Sequence, residues 1–220
     1  MVETDGGARI IIDAGPDFRQ QMLRQQVTHI DAILLTHGHI DHIGGIDDVR
    51  PFNFVDYPVI HTMQIYAPPA AAETVRTIFG YAFEVNKYRG VPEIDLHTID
   101  ISHSFRVADV EITPVSGRHS RFEVTGYRFG RMAYLTDFKE IDDTEVAKLA
   151  GVEVLVVNAL RWRPNDSHFS IDEALELIAR IAPREAFLTH MSHDAGLHAE
   201  LARRLPAGVR PAYDGLEIKI

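Results

Sequence analysis

Cysteine is absent from the 220-residue sequence, which excludes disulfides and any metal site built on thiolates. Long apolar runs are absent too, so no stretch approaches the roughly 20 residues of a membrane-spanning helix. No membrane association is expected. The opening residues, Met1-Val2-Glu3-Thr4-Asp5, are acidic and carry no apolar segment of the signal-peptide kind, and a cytoplasmic location is expected. Basic charge is in short supply: 22 Lys and Arg face 32 Asp and Glu, a formal net charge of −10. Long nucleic acids are held mainly by basic surfaces that displace counterions, so no such partner is expected. That exclusion has a limit, because two bound divalent cations add about +4 at one point. An acidic protein can hold a small anion there.

What is present is histidine, 12 residues in all, several of them beside Asp, Gly or Thr at the ends of apolar segments. With 45% hydrophobic residues, the length suits a single domain over residues 1–220. Short apolar segments predict strands at Arg9–Asp13, Ala32–Thr36, Gln64–Ala67, Val110–Val115, Val124–Phe129, Met132–Thr136, Glu153–Val157, Ala186–Thr189 and Leu216–Ile220. Helices are predicted at Pro16–Gln26, Ala71–Gly80, Glu140–Ala150, Ile171–Ile181 and Ala195–Leu205. Ser170 and Glu173 have the spacing of a capping box at the start of the fourth helix. Gly130-Arg131 reads as the turn of a hairpin. Hairpins mixed with strand–helix units imply an α/β (α+β mixed) fold rather than a purely parallel sheet. Leu96–Phe105 and Arg161–Phe169 read as irregular loops.

The chemistry concentrates in Leu34-Leu35-Thr36-His37-Gly38-His39-Ile40-Asp41-His42-Ile43-Gly44-Gly45. Here an apolar strand ends and four ligand-type side chains follow within six residues. Residues two apart in extended chain face the same side, so His37 and His39 converge. A helix beginning near Asp41 projects Asp41 and His42 into the adjoining space. Glycines on either side let the backbone bend where a side chain would crowd.

His37-x-His39-x-Asp41-His42 resembles the signature of the metallo-β-lactamase superfamily, and the chain is similar to its phosphodiesterase branch, typified by the phosphoribosyl cyclic phosphate phosphodiesterase family. More distantly, it resembles the transfer-RNA 3′-end-processing endonucleases. The resemblance runs from Ile12-Asp13-Ala14-Gly15 to Tyr213-Asp214-Gly215-Leu216-Glu217-Ile218. It implies a four-layer αββα sandwich. It also implies that part of the usual N-terminal strand region is lacking, since family members open with a further strand and a Gly-Thr-Gly loop. A missing strand leaves a sheet edge unpaired, and a homodimer is the expected remedy.

The remaining family ligands are matched one by one. His119 follows an apolar strand in Ser116-Gly117-Arg118-His119-Ser120. Asp137 ends Tyr134-Leu135-Thr136-Asp137. His190 lies in Phe187-Leu188-Thr189-His190-Met191-Ser192. The resemblance thus implies two divalent metal ions, one on His37, His39 and His119, the other on Asp41, His42 and His190, with Asp137 between them. Nitrogen and oxygen donors suit zinc, manganese or iron. A hydroxide bridging the ions would attack phosphorus, with Asp41 accepting its hydrogen bond. In the phosphodiesterases, a histidine outside the ligand set protonates the leaving oxygen, and His168 in Asn165-Asp166-Ser167-His168-Phe169-Ser170 matches it. The ordinary histidine pKa near ~6.5 suits that task; the lesser alternative is that His168 merely helps cap the helix.

Asp13 and Asp214 stand where they could accept hydrogen bonds from ligand imidazoles or simply form turns. Arg161 and Ser192 are candidates for holding the substrate, although a solvated loop is the stronger reading of Arg161. The histidine matching His193 belongs to a cysteine-rich structural zinc site in the phosphonate-breakdown enzyme, a site that a chain without cysteine cannot build. The expected activity is hydrolysis of a small phosphodiester, cyclic or nucleotide-like. An RNA-processing nuclease, a thioester or lactam hydrolase, and a non-catalytic binding protein of the same fold are the alternatives.

Overall fold

The computed structural model describes residues 1–220. The chain divides into two compact units: Met1–Asp100 with Phe105–Val110, and Ile101–Ser104 with Glu111–Ile220.

In the first unit, β1 (Val2–Glu3) pairs antiparallel with β2 (Arg9–Ile12). β3 (Ala32–Leu34), β4 (Met63–Ala67) and β5 (Ile94–Thr98) then follow in parallel, giving the order β1-β2-β3-β4-β5. All three residues of β3 are buried, as expected of an unbroken apolar run in a parallel sheet. Four helices sit among these strands: α1 (Phe18–Arg24), α2 (Ile40–Ile43), α3 (Arg50–Asn53) and α4 (Pro69–Ile78). α4 opens on Pro69, whose ring already has a helical φ and whose missing N–H costs nothing at that position. Phe18, Ile43 and Val75 from these helices close over Ile11, Ile33 and Ile65 of the sheet. β6 (Phe105–Val107) follows, and Phe105 stacks on Tyr66 with ring centroids 5.6 Å apart.

The second unit opens as a meander. β7 (Val110–His119), β8 (Phe122–Phe129) and β9 (Met132–Leu135) pair antiparallel in sequence. The β8–β9 turn is at Gly130, whose φ of 53° is what a tight hairpin turn demands. After α5 (Asp143–Ala147) the sheet continues in parallel through β10 (Val154–Asn158). α6 (Ile171–Ile181) leads to β11 (Glu185–Thr189), and α7 (His198–Arg204) to β12 (Val209–Pro211). Within this unit the strands run in the order β12-β11-β10-β9-β8-β7. Ser170 Oγ accepts from Glu173 N at 3.3 Å, and Glu173 accepts from Ser170 N at 2.7 Å. The capping box is therefore present, and it starts α6 at Ile171. Ile171, Ala174 and Leu177 of that helix join Leu135, Phe138, Leu155 and Leu188 in one core.

Both units thus mix parallel and antiparallel pairing, as the alternation of hairpins and strand–helix units implies. Two expectations are corrected. Leu216–Ile220 is not a strand: Leu216 and Ile218 pack against Val154, Val156 and Phe187 with no ladder bonds. The stretch Leu96–Phe105 is not wholly irregular, since β5 continues to Thr98 and β6 begins at Phe105. No helix is long and apolar enough to cross a membrane.

Candidate metal centre

In the first unit the site is assembled where β2 and β3 end side by side. Asp13, directly after β2, has φ 61°, a left-handed conformation that Asp tolerates better than most residues. Its N–H donates to Leu34 O at 2.8 Å. From there its carboxylate reaches across to the turn after β3. Oδ1 accepts from Thr36 N at 2.8 Å, and Oδ2 accepts from Thr36 Oγ1 at 2.8 Å and from His42 Nδ1 at 2.7 Å.

Those three bonds determine which nitrogen of each imidazole presents a lone pair. A carboxylate only accepts, so His42 carries its proton on Nδ1 and turns an Nε2 lone pair outward. The Thr36 hydroxyl proton is spent on Asp13, so Thr36 Oγ1 accepts from His37 Nδ1, 3.0 Å away. His37 then also presents Nε2 as a lone pair. That atom lies 3.0 Å from Nδ1 of His39, close to the ~3.3 Å separation of two nitrogens bound tetrahedrally to one zinc. Ring centroids of His37 and His42 are 4.2 Å apart. α2 thus begins directly after His39 and carries Asp41 and His42; Asp41 is 64% exposed at its side chain while His42 is buried.

In the second unit, three strand ends converge. His119 is the last residue of β7, which runs four residues past the predicted end at Val115. Its Nδ1 donates to the Ser167 carbonyl at 2.6 Å, leaving Nε2 as the lone-pair nitrogen. Asp137 follows β9, is 1% exposed and has φ 62°. Thr136 Oγ1 donates to its Oδ2 at 2.6 Å. Nε2 of His168 and of His190 lie 2.9 and 3.3 Å from its Oδ1. His190, after β11, is also left-handed, with φ 54°. The His168 ring meets that of His119 edge-on at 4.5 Å and stacks on that of His190 at 4.9 Å. Ligand atoms of His119, Asp137 and His168 all lie within 4.8 Å of one another.

Each cluster therefore has the chemistry of a divalent cation site: imidazole lone pairs held by hydrogen bonds at the opposite nitrogen, with carboxylates at hand and no thiolate. The sequence model of the Beta-lactamase superfamily domain matches residues 8–191. The chain belongs to the metallo-β-lactamase superfamily. Divalent metal ions are implied by that membership. A relative named octanoyltransferase, from Porphyromonas gingivalis, is 38% identical over 218 residues, 99% of this chain. The chain spans only 43% of that relative's length. A coenzyme PQQ synthesis protein B from Xanthomonas oryzae pv. oryzae is 26% identical, with 100% of this chain and 86% of the relative covered. Among solved structures, a diphosphatase of the PhnP family has a TM-score of 0.90 at 35% identity, covering 99% of this chain and 82% of its own.

The other site expectations fall outside these clusters. Arg161 Nη1 pairs with Asp194 at 3.1 Å, and Ser192 Oγ accepts from Asp194 N at 3.2 Å at the start of a 3-10 turn. Asp214 stands exposed in a tight turn closed by Leu216 N donating to Tyr213 O at 3.1 Å. His193, at 94% side-chain exposure, is turned to solvent.

Sequence reasoning missed two residues that hold the centre in shape. Thr36 relays Asp13 to His37. Asn158, fully buried at the end of β10, donates to Phe138 O at 2.9 Å and accepts from Phe138 N at 2.8 Å. This clamps the backbone immediately after Asp137. A buried Asn closing an apolar strand is the one signal that could have exposed it, because buried amides need partners.

Proposed function

We propose that the chain is a metal-dependent hydrolase of small phosphodiesters, including diphosphates substituted at both ends. In such a diphosphate each phosphorus carries two bridging oxygens, so the displacement is the same as at a simple diester. Divalent ions would be held by His37, His39, Asp41 and His42 in the first cluster and by His119, Asp137 and His190 in the second. When bound, such ions lower the pKa of water and offset negative charge on phosphoryl oxygens.

The residues themselves supply the rest. His168, with Nε2 at 2.9 Å from Asp137, is the single observation that carries this function. A departing alkoxide requires a proton, whereas the thiolate leaving a thioester does not. Asp137 orients that imidazole, and Asp41 offers an exposed carboxylate. Further support is the 35% identity to the PhnP-family diphosphatase across 99% of this chain. The octanoyltransferase relative lends no transferase reading, because more than half of its length lies outside the match. A nuclease is disfavoured by the net charge of −10.

The test compares two leaving groups on zinc- or manganese-loaded protein. His168→Ala should lower kcat by about 10²-fold or more on a diester with an alkoxide leaving group, which requires protonation. It should lower kcat far less on bis-para-nitrophenyl phosphate, whose phenolate departs unaided. Equal losses on both substrates, or none on either, would remove His168 as the proton donor.

A further inference from the structure

We propose that Asn165, acting through Ser167, is the positioning residue that aligns both His119 and His168. This rests on reading His119 as a metal ligand and His168 as the proton donor.

Residues 161–169 have no regular secondary structure, so side chains must shape the loop. Asn165 Oδ1 does so by accepting three hydrogen bonds: from Ser167 N at 3.1 Å, from Ser167 Oγ at 3.2 Å and from His168 N at 2.8 Å. An Asn that gathers the amides two and three residues ahead replaces the turn that the backbone would otherwise have to make alone. The loop so formed has two outputs, one from each end of Ser167. Its carbonyl accepts from His119 Nδ1 at 2.6 Å, which determines the tautomer and leaves Nε2 for a cation. Its hydroxyl lies 2.8 Å from His168 Nδ1, so the His168 ring is held at both nitrogens, by Ser167 at one and Asp137 at the other.

The other half of the Asn165 amide does nothing comparable. Nδ2 is buried with no hydrogen-bond partner, an arrangement that costs free energy. The oxygen is therefore the functional half. An aspartate would preserve it, since a carboxylate accepts the same three bonds.

Three variants of the full chain separate the outputs, with zinc affinity read by competition against a chromophoric chelator and turnover by kcat and KM. Asn165→Ala should weaken zinc binding by about 10–100-fold and lower kcat, because both histidines lose their support. Ser167→Ala keeps the backbone carbonyl. It should leave zinc affinity within about 3-fold of the parent while lowering kcat about 10-fold, the scale of an outer-shell loss. Asn165→Asp should restore zinc affinity to within about 3-fold, a rescue that generic loop damage would not permit. Parental zinc binding by Asn165→Ala would overturn the proposal. So would an equal zinc defect in Ser167→Ala, or failure of Asn165→Asp to rescue. Ser167→Ala loses one hydroxyl only, and decides the matter should Asn165→Ala not fold. If no phosphodiester is turned over at all, the activity assigned above fails, yet the zinc series still decides the role of Asn165.

Discussion

Asp13 shows how much a single side chain can settle. Three hydrogen bonds converge on its carboxylate, and through them His37 and His42 both turn Nε2 outward. Asp13→Asn keeps the left-handed backbone, which Asn also tolerates. However, one oxygen becomes an amide donor facing two donors, Thr36 Oγ1 and His42 Nδ1. Zinc affinity should fall about 10–100-fold, as for other losses of a ligand's hydrogen-bond partner, with the circular dichroism spectrum unchanged. Parental affinity in that variant would show that the tautomers are set by something else. A second residue-scale feature is shared: Asp13, Asp137 and His190 all follow strands with φ between 54° and 62°. Left-handed conformations at non-glycine residues concentrate at functional sites because the surrounding structure must hold them there. No sequence pattern announces them.

Elements transmit these settings. α2 is seated on the loop after β2, with Ala14 N donating to His42 O at 2.7 Å and Gly45 N to Ala14 O at 2.8 Å. A Cβ at Gly15 would lie 2.2 Å from Asp41 O, a clash with backbone that only movement of α2 relieves. Gly15→Ala should therefore weaken zinc binding even though residue 15 is no ligand; chelator competition measures it, and parental affinity would mean that α2 shifts freely. For α6, Ser170→Ala should cost about 1 kcal/mol in urea unfolding, the usual worth of an N-cap. Burial alone would raise the Glu173 pKa, but hydrogen bonds from Lys139 and Ser170 outweigh it and hold the carboxyl below its ordinary 4.5. A depressed carboxyl stabilises the fold above its unfolded pKa and loses that effect as pH falls through the folded value. The stability gap between the parent and Glu173→Gln should accordingly be widest near neutrality and shrink below pH 4.5. A gap that widens on acidification would reverse the sign.

These elements also show where sequence reading stops. α6 was legible to the residue because its cap and its apolar spacing agree. The strands that lead to Asp13, His37, Asp137 and His190 were legible because each is a short apolar run followed by polar residues. β5 was missed, since Ile94-Asp95-Leu96-His97-Thr98 carries more polar than apolar side chains and gains its strand from the parallel neighbour β4. Three-residue β12, with a proline at its end, has too few residues to show a period. Leu216–Ile220 misleads in the opposite direction, because alternation reports which side chains are buried and not whether the backbone finds a partner. Asn165 and Ser167 resembled any polar turn, their role depending on histidines up to 48 residues away.

At the scale of the whole molecule, charge and metal binding are linked. Ions that bind only the folded chain stabilise it by about 2.7 kcal/mol per site at a hundredfold excess over Kd. For a chain of this length that corresponds to roughly 5–10 °C in melting temperature. Chelation followed by calorimetry should reveal that loss, and zinc or manganese should restore it. The same −10 charge governs the choice between small and polymeric substrates. Binding of an RNA strand through phosphates falls with salt at a slope of about −0.7 for each charge neutralised. A chain with few basic residues to spend should show weak binding and a shallow slope with a labelled oligonucleotide. Turnover of a small diester should likewise vary little between low and physiological salt, since its anion meets only the local cations. A slope of −4 or steeper would mean several phosphates neutralised at once. It would indicate a basic track on an acidic protein and move the preferred substrate from a small ester to a polymer.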